Sequence, residues 1–270
     1  MSGAGIADTL IVQSFRTEAV PEWLQRCMAS VRDWARQAGH DYQFVGDELL
    51  ALVPEALQRR INGQLNLLTD LARLLLLRDH LASGYRRVVW IDADVLVLEP
   101  RAFTLPASGF FFCREQFLVR RNQRRIVFHR IANAVTGFCQ GRSQLQAYIQ
   151  LAEAWIQQAP VLRHTSIGTE LLTRWHRNSA LPLLDGIVMA SPQLLLALQR
   201  QDMTTLMWYR RRMRASAVAM NMSLFFRHHT IEGLYLDDEL FSTLCERLLL
   251  PDDSGRNCLM SESVITGGLR

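Results

Sequence analysis

Lysine is absent from this sequence, and all 30 basic residues among its 270 are arginines. A P-loop needs a lysine after its glycine-rich turn, so this kind of nucleotide site is excluded. No run of 18 or more apolar residues occurs, so there is no candidate for a membrane-spanning helix. With 49% hydrophobic and 21% charged residues, the composition is that of a globular protein that can bury a sizeable core.

Closely spaced pairs of cysteines are also missing. The spacing of the five cysteines argues against a structural zinc site and predicts reduced thiols in a cytosolic setting: Cys27, Cys113, Cys139, Cys245 and Cys258. Residues 1–8 lack the basic and apolar regions of a signal peptide. We therefore expect a cytoplasmic protein, with peripheral contact to the inner face of the membrane as an alternative.

The arginines form two clusters, and the formal net charge is +4. Such clusters attract phosphates, acidic lipids or nucleic acid, although a solvated helix face is an equally good interpretation. We expect the first cluster to lie in a loop or a mobile insert. No nucleic-acid-binding signature accompanies the clusters, so no nucleic-acid partner is expected. The first comprises Arg114, Arg120, Arg121, Arg124, Arg125 and Arg130; the second comprises Arg210, Arg211, Arg212 and Arg214, beside Trp208 and Tyr209.

The apolar pattern at the start of the chain predicts an α/β fold. Residues 10–15 form an apolar run typical of a strand, residues 22–38 carry apolar side chains at helical spacing, and residues 42–45 predict a second strand. This β-α-β order predicts a parallel sheet flanked by helices.

Two aspartates, Asp92 and Asp94, directly follow the apolar residues 88–91. They are two residues apart, so on an extended chain they point to the same face. At the carboxyl end of a sheet strand, that face opens on the crevice where α/β sheets bind ligands. Convergent carboxylates suit Mg²⁺ or Mn²⁺, and the cation would in turn hold a diphosphate. The alternative is a turn with both aspartates solvated, but the preceding residues are too apolar for a surface loop.

Three further features could contribute to the same crevice. Asp70 and Arg73 share a face of the leucine-rich helix predicted over residues 65–81, either as a simple ion pair or as part of the crevice. Asn133 falls inside a predicted strand, where a buried amide needs partners. His228-His229 follows an apolar run; neutral imidazole suits Mn²⁺, and a structural role is the alternative.

The motifs of residues 69–94 resemble the donor site of GT-A glycosyltransferases. Thr69-Asp70-x-x-Arg73 is followed by a glycine turn at Gly84 and then by Trp90-x-Asp92-x-Asp94. This order is similar to that of glycosyltransferase family 32, with family 8 next. The turn over residues 83–87 is longer and more basic than the family's, and the resemblance covers about residues 8–140.

The resemblance implies a GT-A fold, with a Rossmann-like, mostly parallel central sheet flanked by helices. It implies one catalytic domain over residues 1–270, with a nucleotide-sugar-binding half (1–140) and an acceptor-side half (141–270). The implied reaction is metal-dependent transfer of a sugar from a nucleotide-diphosphate sugar, UDP-sugar before GDP-sugar, to an acceptor hydroxyl with retention. The acceptor would be a glycan, a lipid-linked molecule or a protein, in polysaccharide or glycoconjugate synthesis.

The resemblance also implies roles for four charged residues. Asp70 and Arg73 would hold the donor sugar, with Arg73 also near the phosphates. Asp92 would contact the ribose and the metal, and Asp94 would ligate Mn²⁺ or Mg²⁺.

Four other positions match donor-binding or metal-binding residues of the family. Phe15 lies where an aromatic ring stacks on the base, and Trp90 is the aromatic residue of the motif. Asn133 resembles an asparagine behind the donor sugar. His228, or its neighbour His229, would touch the metal or the diphosphate.

Two other functions fit parts of the sequence. Asp92-x-Asp94 followed by Val95 and Leu96 resembles a haloacid-dehalogenase phosphohydrolase, but that class needs a later lysine and an N-terminal motif. A basic interaction protein would use the arginine clusters and would ignore metal and nucleotide.

Overall fold

Strands and helices alternate along the first hundred residues, as the apolar pattern predicts. The computed structural model describes residues 8–107 and 109–260, so residues 1–7, which bear on the signal-peptide expectation, lie outside it. Its strands are β1 (Thr9–Ser14), β2 (Asp41–Val45), β3 (Arg87–Ile91), β4 (Val95–Val97), β5 (Phe110–Arg121), β6 (Arg124–Cys139), β7 (Leu183–Met189), β8 (Ala219–Asn221), β9 (Thr230–Ile231) and β10 (Leu234–Tyr235). Its α-helices are α1 (Glu22–Gln37), α2 (Glu55–Ile61), α3 (Leu65–Ala82), α4 (Gln144–Gln158), α5 (Leu171–Ser179), α6 (Pro192–Gln199), α7 (Met203–Arg210), α8 (Asp238–Leu249) and α9 (Ser254–Met260).

Helix α1 shows why the first β-α-β unit forms. Its apolar residues Trp23, Cys27, Val31 and Trp34 recur at helical spacing and are all buried. Gly39 follows the helix with φ +70°, a conformation that glycine adopts without steric strain. The chain can therefore turn directly into β2, which pairs in parallel with β1.

The central sheet has eight strands in the order β2-β1-β3-β6-β5-β7-β8-β4. Only β6 and β4 run against the other six strands, so the predicted α/β class with a mostly parallel sheet is confirmed. Strands β7 and β8 come from the proposed acceptor-side half, so both halves build one sheet. The division at residue 140 stays a prediction.

The sheet curls strongly. Strand β3 ends at Ile91 and β4 begins at Val95, although four strands separate them in the sheet order. Four extended residues span at most about 14 Å, whereas five strand spacings in a flat sheet span about 24 Å. The far edge must therefore curve back toward β3, and the segment that closes the curve contains Asp92 and Asp94.

Helices cover both faces of this sheet. Leu10, Val12 and Trp90 pack with α3 and α4 on one face. Ile11 and Val89 pack with α1 on the other, following the two-residue alternation of strands. Among the described residues no helix is long and apolar enough to cross a membrane.

The prediction of a loop or mobile insert for the first arginine cluster was wrong. Strands β5 and β6 continue through it as a long antiparallel hairpin, with Arg121 opposite Arg124. The apolar residues between the arginines explain this, because Phe117 and Phe128 face each other across the strands and stack with ring centroids 4.6 Å apart.

Candidate active site

Asp92 lies at the carboxyl end of β3 and is held from several sides. Its Oδ1 accepts hydrogen bonds from the Trp90 indole nitrogen at 2.6 Å and from Arg73 at 2.8 Å. The Gln13 side chain donates to its main-chain oxygen at 3.0 Å. Within the described part of the chain, no hydrogen bond uses the second carboxylate oxygen. The side chain is 26% exposed, so that oxygen can meet a ligand.

Arg73 is the buried cation of the site. Its guanidinium bridges Asp70 at 2.7 Å and Asp92 at 2.8 Å, and it lies over the Trp90 ring at 4.8 Å. Although burial works against the charge, Asp92 and Asp70 keep the pKa of Arg73 above its ordinary value. The sequence therefore predicted correctly that Asp70 and Arg73 share a face of α3. They form an ion pair, and Arg73 also connects to Asp92. Their role in lining a donor-binding crevice stays a prediction.

Asp70 and Asn133 meet beneath a tight turn. The Asn133 amide donates to Asp70 Oδ1 at 2.9 Å, and the Asn133 carbonyl accepts from Arg73 at 3.3 Å. Burial raises the pKa of Asp70, with Arg73 and Asn133 opposing the shift. A Cβ on Gly168 would lie 3.0 Å from Asp70 Oδ2 and 3.4 Å from Asn133 Oδ1. A methyl group there would require the Asp70 carboxylate or the turn to shift by a few tenths of an ångström.

Asp94 is fixed by the segment that follows β8. Its Oδ2 accepts from the main-chain nitrogen of Leu224 at 2.8 Å, and its carbonyl accepts from Met222 at 2.8 Å. Burial, followed by the charge of Asp92, raises the pKa of Asp94 to about 6. A cation next to both aspartates would remove this electrostatic penalty.

Glu115 is a site residue that sequence reasoning missed. It lies on β5, is 3% exposed, and accepts a hydrogen bond from the Asn221 amide at 2.8 Å. Burial, with added repulsion from Asp92 and Asp94, raises the pKa of Glu115 to about 8. The sequence did contain a signal, since a glutamate inside an apolar strand needs a partner or a function.

Aromatic side chains form one rim of the site. Phe225, next to the residue that holds Asp94, is 57% exposed and stacks on His164 at 5.3 Å. His229 approaches the same phenyl ring at 5.7 Å. His228 faces elsewhere, because its Nδ1 hydrogen-bonds the Tyr235 hydroxyl at 2.9 Å.

Phe15 and Trp90 differ in what they can contact. Phe15 directly follows β1, is partly exposed and lies under the Arg16 guanidinium at 5.4 Å. Trp90 is 1% exposed, so its ring cannot stack on a nucleotide base in this arrangement. Its role here is to hold Asp92.

The site carries more negative than positive charge. Asp70, Asp92 and Asp94 outnumber the single buried guanidinium of Arg73, which contacts Asp70 and Asp92. Glu115, with a pKa of about 8, adds no charge at neutral pH. Among residues 8–107 and 109–260, no three His, Cys, Asp or Glu residues form a group that could hold a metal. His228 is thus not gathered with Asp92 and Asp94. Two carboxylates still fit Mg²⁺ or Mn²⁺, which commonly take one or two carboxylates and complete their shell with phosphate and water.

Solved structures whose overall fold is similar to that of this chain include three glycosyltransferases. One is involved in the glycosylation of the major capsid of PBCV-1, with 9% identity, TM-score 0.47 and coverage of 90% of this chain and 100% of that chain. The galactosyltransferase LgtC, in complex with donor and acceptor sugar analogues, shows 14% identity, TM-score 0.42 and coverage of 93% and 100%. The apo form of GlyE from Streptococcus pneumoniae TIGR4 shows 9% identity, TM-score 0.45 and coverage of 96% and 66%. No protein-family model and no curated protein sequence matches this chain.

Proposed function

We propose that this protein is a metal-dependent glycosyltransferase. It moves a sugar from a nucleotide-diphosphate sugar, UDP-sugar before GDP-sugar, to the hydroxyl of a glycan, a lipid-linked molecule or a protein. The observation that carries the proposal is the pair Asp92 and Asp94, fixed at the carboxyl end of β3 in a site with excess negative charge. The motif resemblance supports retention of anomeric configuration.

Asp92 and Asp94 are the residues that would hold Mn²⁺ or Mg²⁺. Each has one carboxylate oxygen engaged in hydrogen bonds, which fixes the side chain and leaves the other oxygen for a ligand. The ion supplies charge that stabilises the departing diphosphate. Because both carboxylates are held in advance, little reorganisation is needed at the moment of reaction.

The donor sugar would lie against Asp70 and Asn133. Asp70 Oδ1 is engaged with Arg73 and Asn133, and its Oδ2 lies beside Gly168, where it can accept from a sugar hydroxyl. Arg73 has both terminal nitrogens engaged by carboxylates, so it acts mainly by positioning Asp70 and Asp92. Phe15 remains the candidate for stacking on the base.

The test is thermal unfolding with UDP, GDP and Mn²⁺, alone and combined, followed by release of UDP from UDP-hexoses. We expect UDP and Mn²⁺ together to raise the melting temperature, because a ligand at about 100 times its Kd adds about 2.7 kcal/mol. Asp94→Asn should abolish this shift and lower turnover by a factor on the order of 1,000. The exposed Asp79→Asn, which makes the same change of charge, should behave as wild type.

Three outcomes would contradict the proposal. Asp94→Asn could fold and retain full activity, or the melting temperature could ignore nucleotide and metal. Hydrolysis of a simple phosphate monoester without any donor binding would instead indicate the phosphohydrolase. NMR of the product anomer tests retention separately.

A further inference from the structure

The distal part of the β5–β6 hairpin, residues 117–130, is here called the arginine arm. Strand β5 pairs with β7 only as far as Gln116, and β6 pairs with β3 only from Val135. In the described structure, the strands of the arm therefore pair only with each other. One face of the arm packs on the protein through Leu118 and Val127.

The tip of the arm brings like charges together. Arg121 lies directly opposite Arg124, and Arg120 opposite Arg125. Like charges facing each other across two strands destabilise a hairpin. Arg120 is paired with Glu232 at 3.1 Å, but no carboxylate of the described residues forms an ion pair with the other three. Folding alone does not explain this arrangement.

The tip turn also departs from what folding favours. Asn122 and Gln123 connect the strands with φ of +46° and +61°. Glycine is the usual second residue of such a turn, and a glutamine there is strained. The turn nevertheless keeps the strands in register to the last pair, which presents the arginines on a well-defined edge.

The second arginine cluster lies next to the arm. The Trp208 ring on α7 carries the Arg125 guanidinium at 6.0 Å and the Arg212 guanidinium at 4.0 Å. Arg211 and Arg214, which flank Arg212, are exposed. Trp208 therefore connects Arg125 of the arm to Arg212 of the second cluster.

Exposed apolar side chains lie on the same elements. Ile126 on the arm is 38% exposed, and Met207, next to Trp208, is 47% exposed. Arginine mixed with tryptophan and exposed aliphatic residues is typical of surfaces that lie at a membrane interface. Single-stranded nucleic acid is a weaker fit, because base stacking needs open aromatic faces and Trp208 already stacks with two guanidinium groups.

We propose that the arginine arm and the end of α7 dock the protein on an anionic phospholipid surface. The arginines meet the headgroup phosphates, and Ile126 and Met207 enter the boundary with the acyl chains. This goes beyond the proposed function and does not depend on it, because vesicle binding is measured without donor or metal.

The experiment is co-sedimentation of the full chain with vesicles of phosphatidylglycerol and phosphatidylcholine, or of phosphatidylcholine alone. We expect binding to the anionic vesicles only, weakened by salt. Arg121→Gln/Arg124→Gln should reduce partitioning about thirtyfold. Each arginine near an anionic surface contributes about 1 kcal/mol, and the loss of two such contributions corresponds to this factor. Arg36→Gln/Arg59→Gln, which removes two exposed arginines from other helices, should bind as wild type. Arg211→Gln/Arg214→Gln, at the residues that follow α7, should likewise reduce binding to the anionic vesicles.

Ile126→Ser separates a membrane from other polyanions. It should weaken vesicle binding but leave binding to soluble heparin or RNA unchanged. Equal binding to neutral vesicles, or no effect of the arm variants, would overturn the proposal. Displacement from the vesicles by free glycerol phosphate would also overturn it, because it indicates a site for soluble phosphate. So would RNA binding that Ile126→Ser leaves unchanged, if the protein binds no vesicles.

Discussion

The candidate site, here called the pocket (Asp70, Arg73, Asp92, Asp94 and Glu115), and the arginine arm both concentrate charge of one sign, but their surroundings differ. In the pocket, Asp70 and Arg73 are less than 10% exposed, and hydrogen bonds fix each carboxylate. On the arm, Arg121 and Arg124 face each other in contact with solvent. Buried charges need partners, whereas water and salt screen exposed ones. The charges of the pocket therefore stabilise the fold through their partners, whereas the charges of the arm contribute little to folding.

The largest expected effect comes from removing the one buried cation of the pocket. Arg73→Leu leaves the buried Asp70 and the partly buried Asp92 without their counter-charge, so the free energy of unfolding should fall by about 3–5 kcal/mol. Chemical denaturation measures this directly.

Arg78→Leu is the matched control on the same helix, since Arg78 is half exposed and, within residues 8–107 and 109–260, pairs with its neighbour Asp79 alone. It should change stability by less than about 0.5 kcal/mol. A comparable loss in both variants would mean that the buried network has no special role.

The second expected effect is that the free energy of unfolding depends on pH through Glu115. Its folded pKa of about 8 lies above the ordinary 4.5, so the folded state holds a proton that the unfolded state releases. The stabilisation is complete below the unfolded pKa and is lost as the pH rises through the folded pKa. Between about pH 5 and about pH 9, in chelator, the loss should be on the order of 4 kcal/mol.

Glu115→Gln cannot lose this proton and keeps an oxygen for the Asn221 amide. Its unfolding free energy should therefore vary less with pH than that of the wild type. Parallel pH curves for the two proteins would show that Glu115 is ionised in the folded state.

A smaller effect is expected at Gly168. Gly168→Ala places a methyl group 3.0 Å from Asp70 Oδ2, so the turn or the carboxylate must move. We expect a loss of about 1–2 kcal/mol and weaker donor binding. In a double-mutant cycle with Asp70→Ala, the combined loss should be smaller than the sum, because the crowded oxygen is gone. Strict additivity would place the strain elsewhere.

The sequence alone could predict some of the elements that build the pocket. The apolar run of residues 88–91 predicted β3, and the leucine-rich segment of residues 65–81 predicted α3. The meeting of Asp70 and Arg73 with Asp92 was one of the two interpretations that the sequence left open. That interpretation was available because α3 leads directly into β3. The metal-binding and donor-binding roles stay predictions.

The parts that were missed depend on contacts between distant segments. Glu115 joins the site through Asn221, and Leu224 holds Asp94 across 130 positions of sequence. The curl of the sheet creates both contacts, and no local pattern encodes it. We predicted a loop or a mobile insert for the arm because arginines interrupt its apolar residues. The pairing of Phe117 with Phe128 is visible only in the structure.

The smallest effect, of opposite sign, is expected on the arm. Arg121→Gln relieves repulsion from Arg124, so the protein should become more stable by about 0.3–0.5 kcal/mol at low salt, with the gain fading as salt screens the charges. Arg120→Gln is the control, because it also removes the ion pair with Glu232 and should gain less. Urea unfolding at low and high salt measures both. Destabilisation by Arg121→Gln would mean that the arm arginines support the fold as the pocket charges do, and the contrast between the two regions would fail.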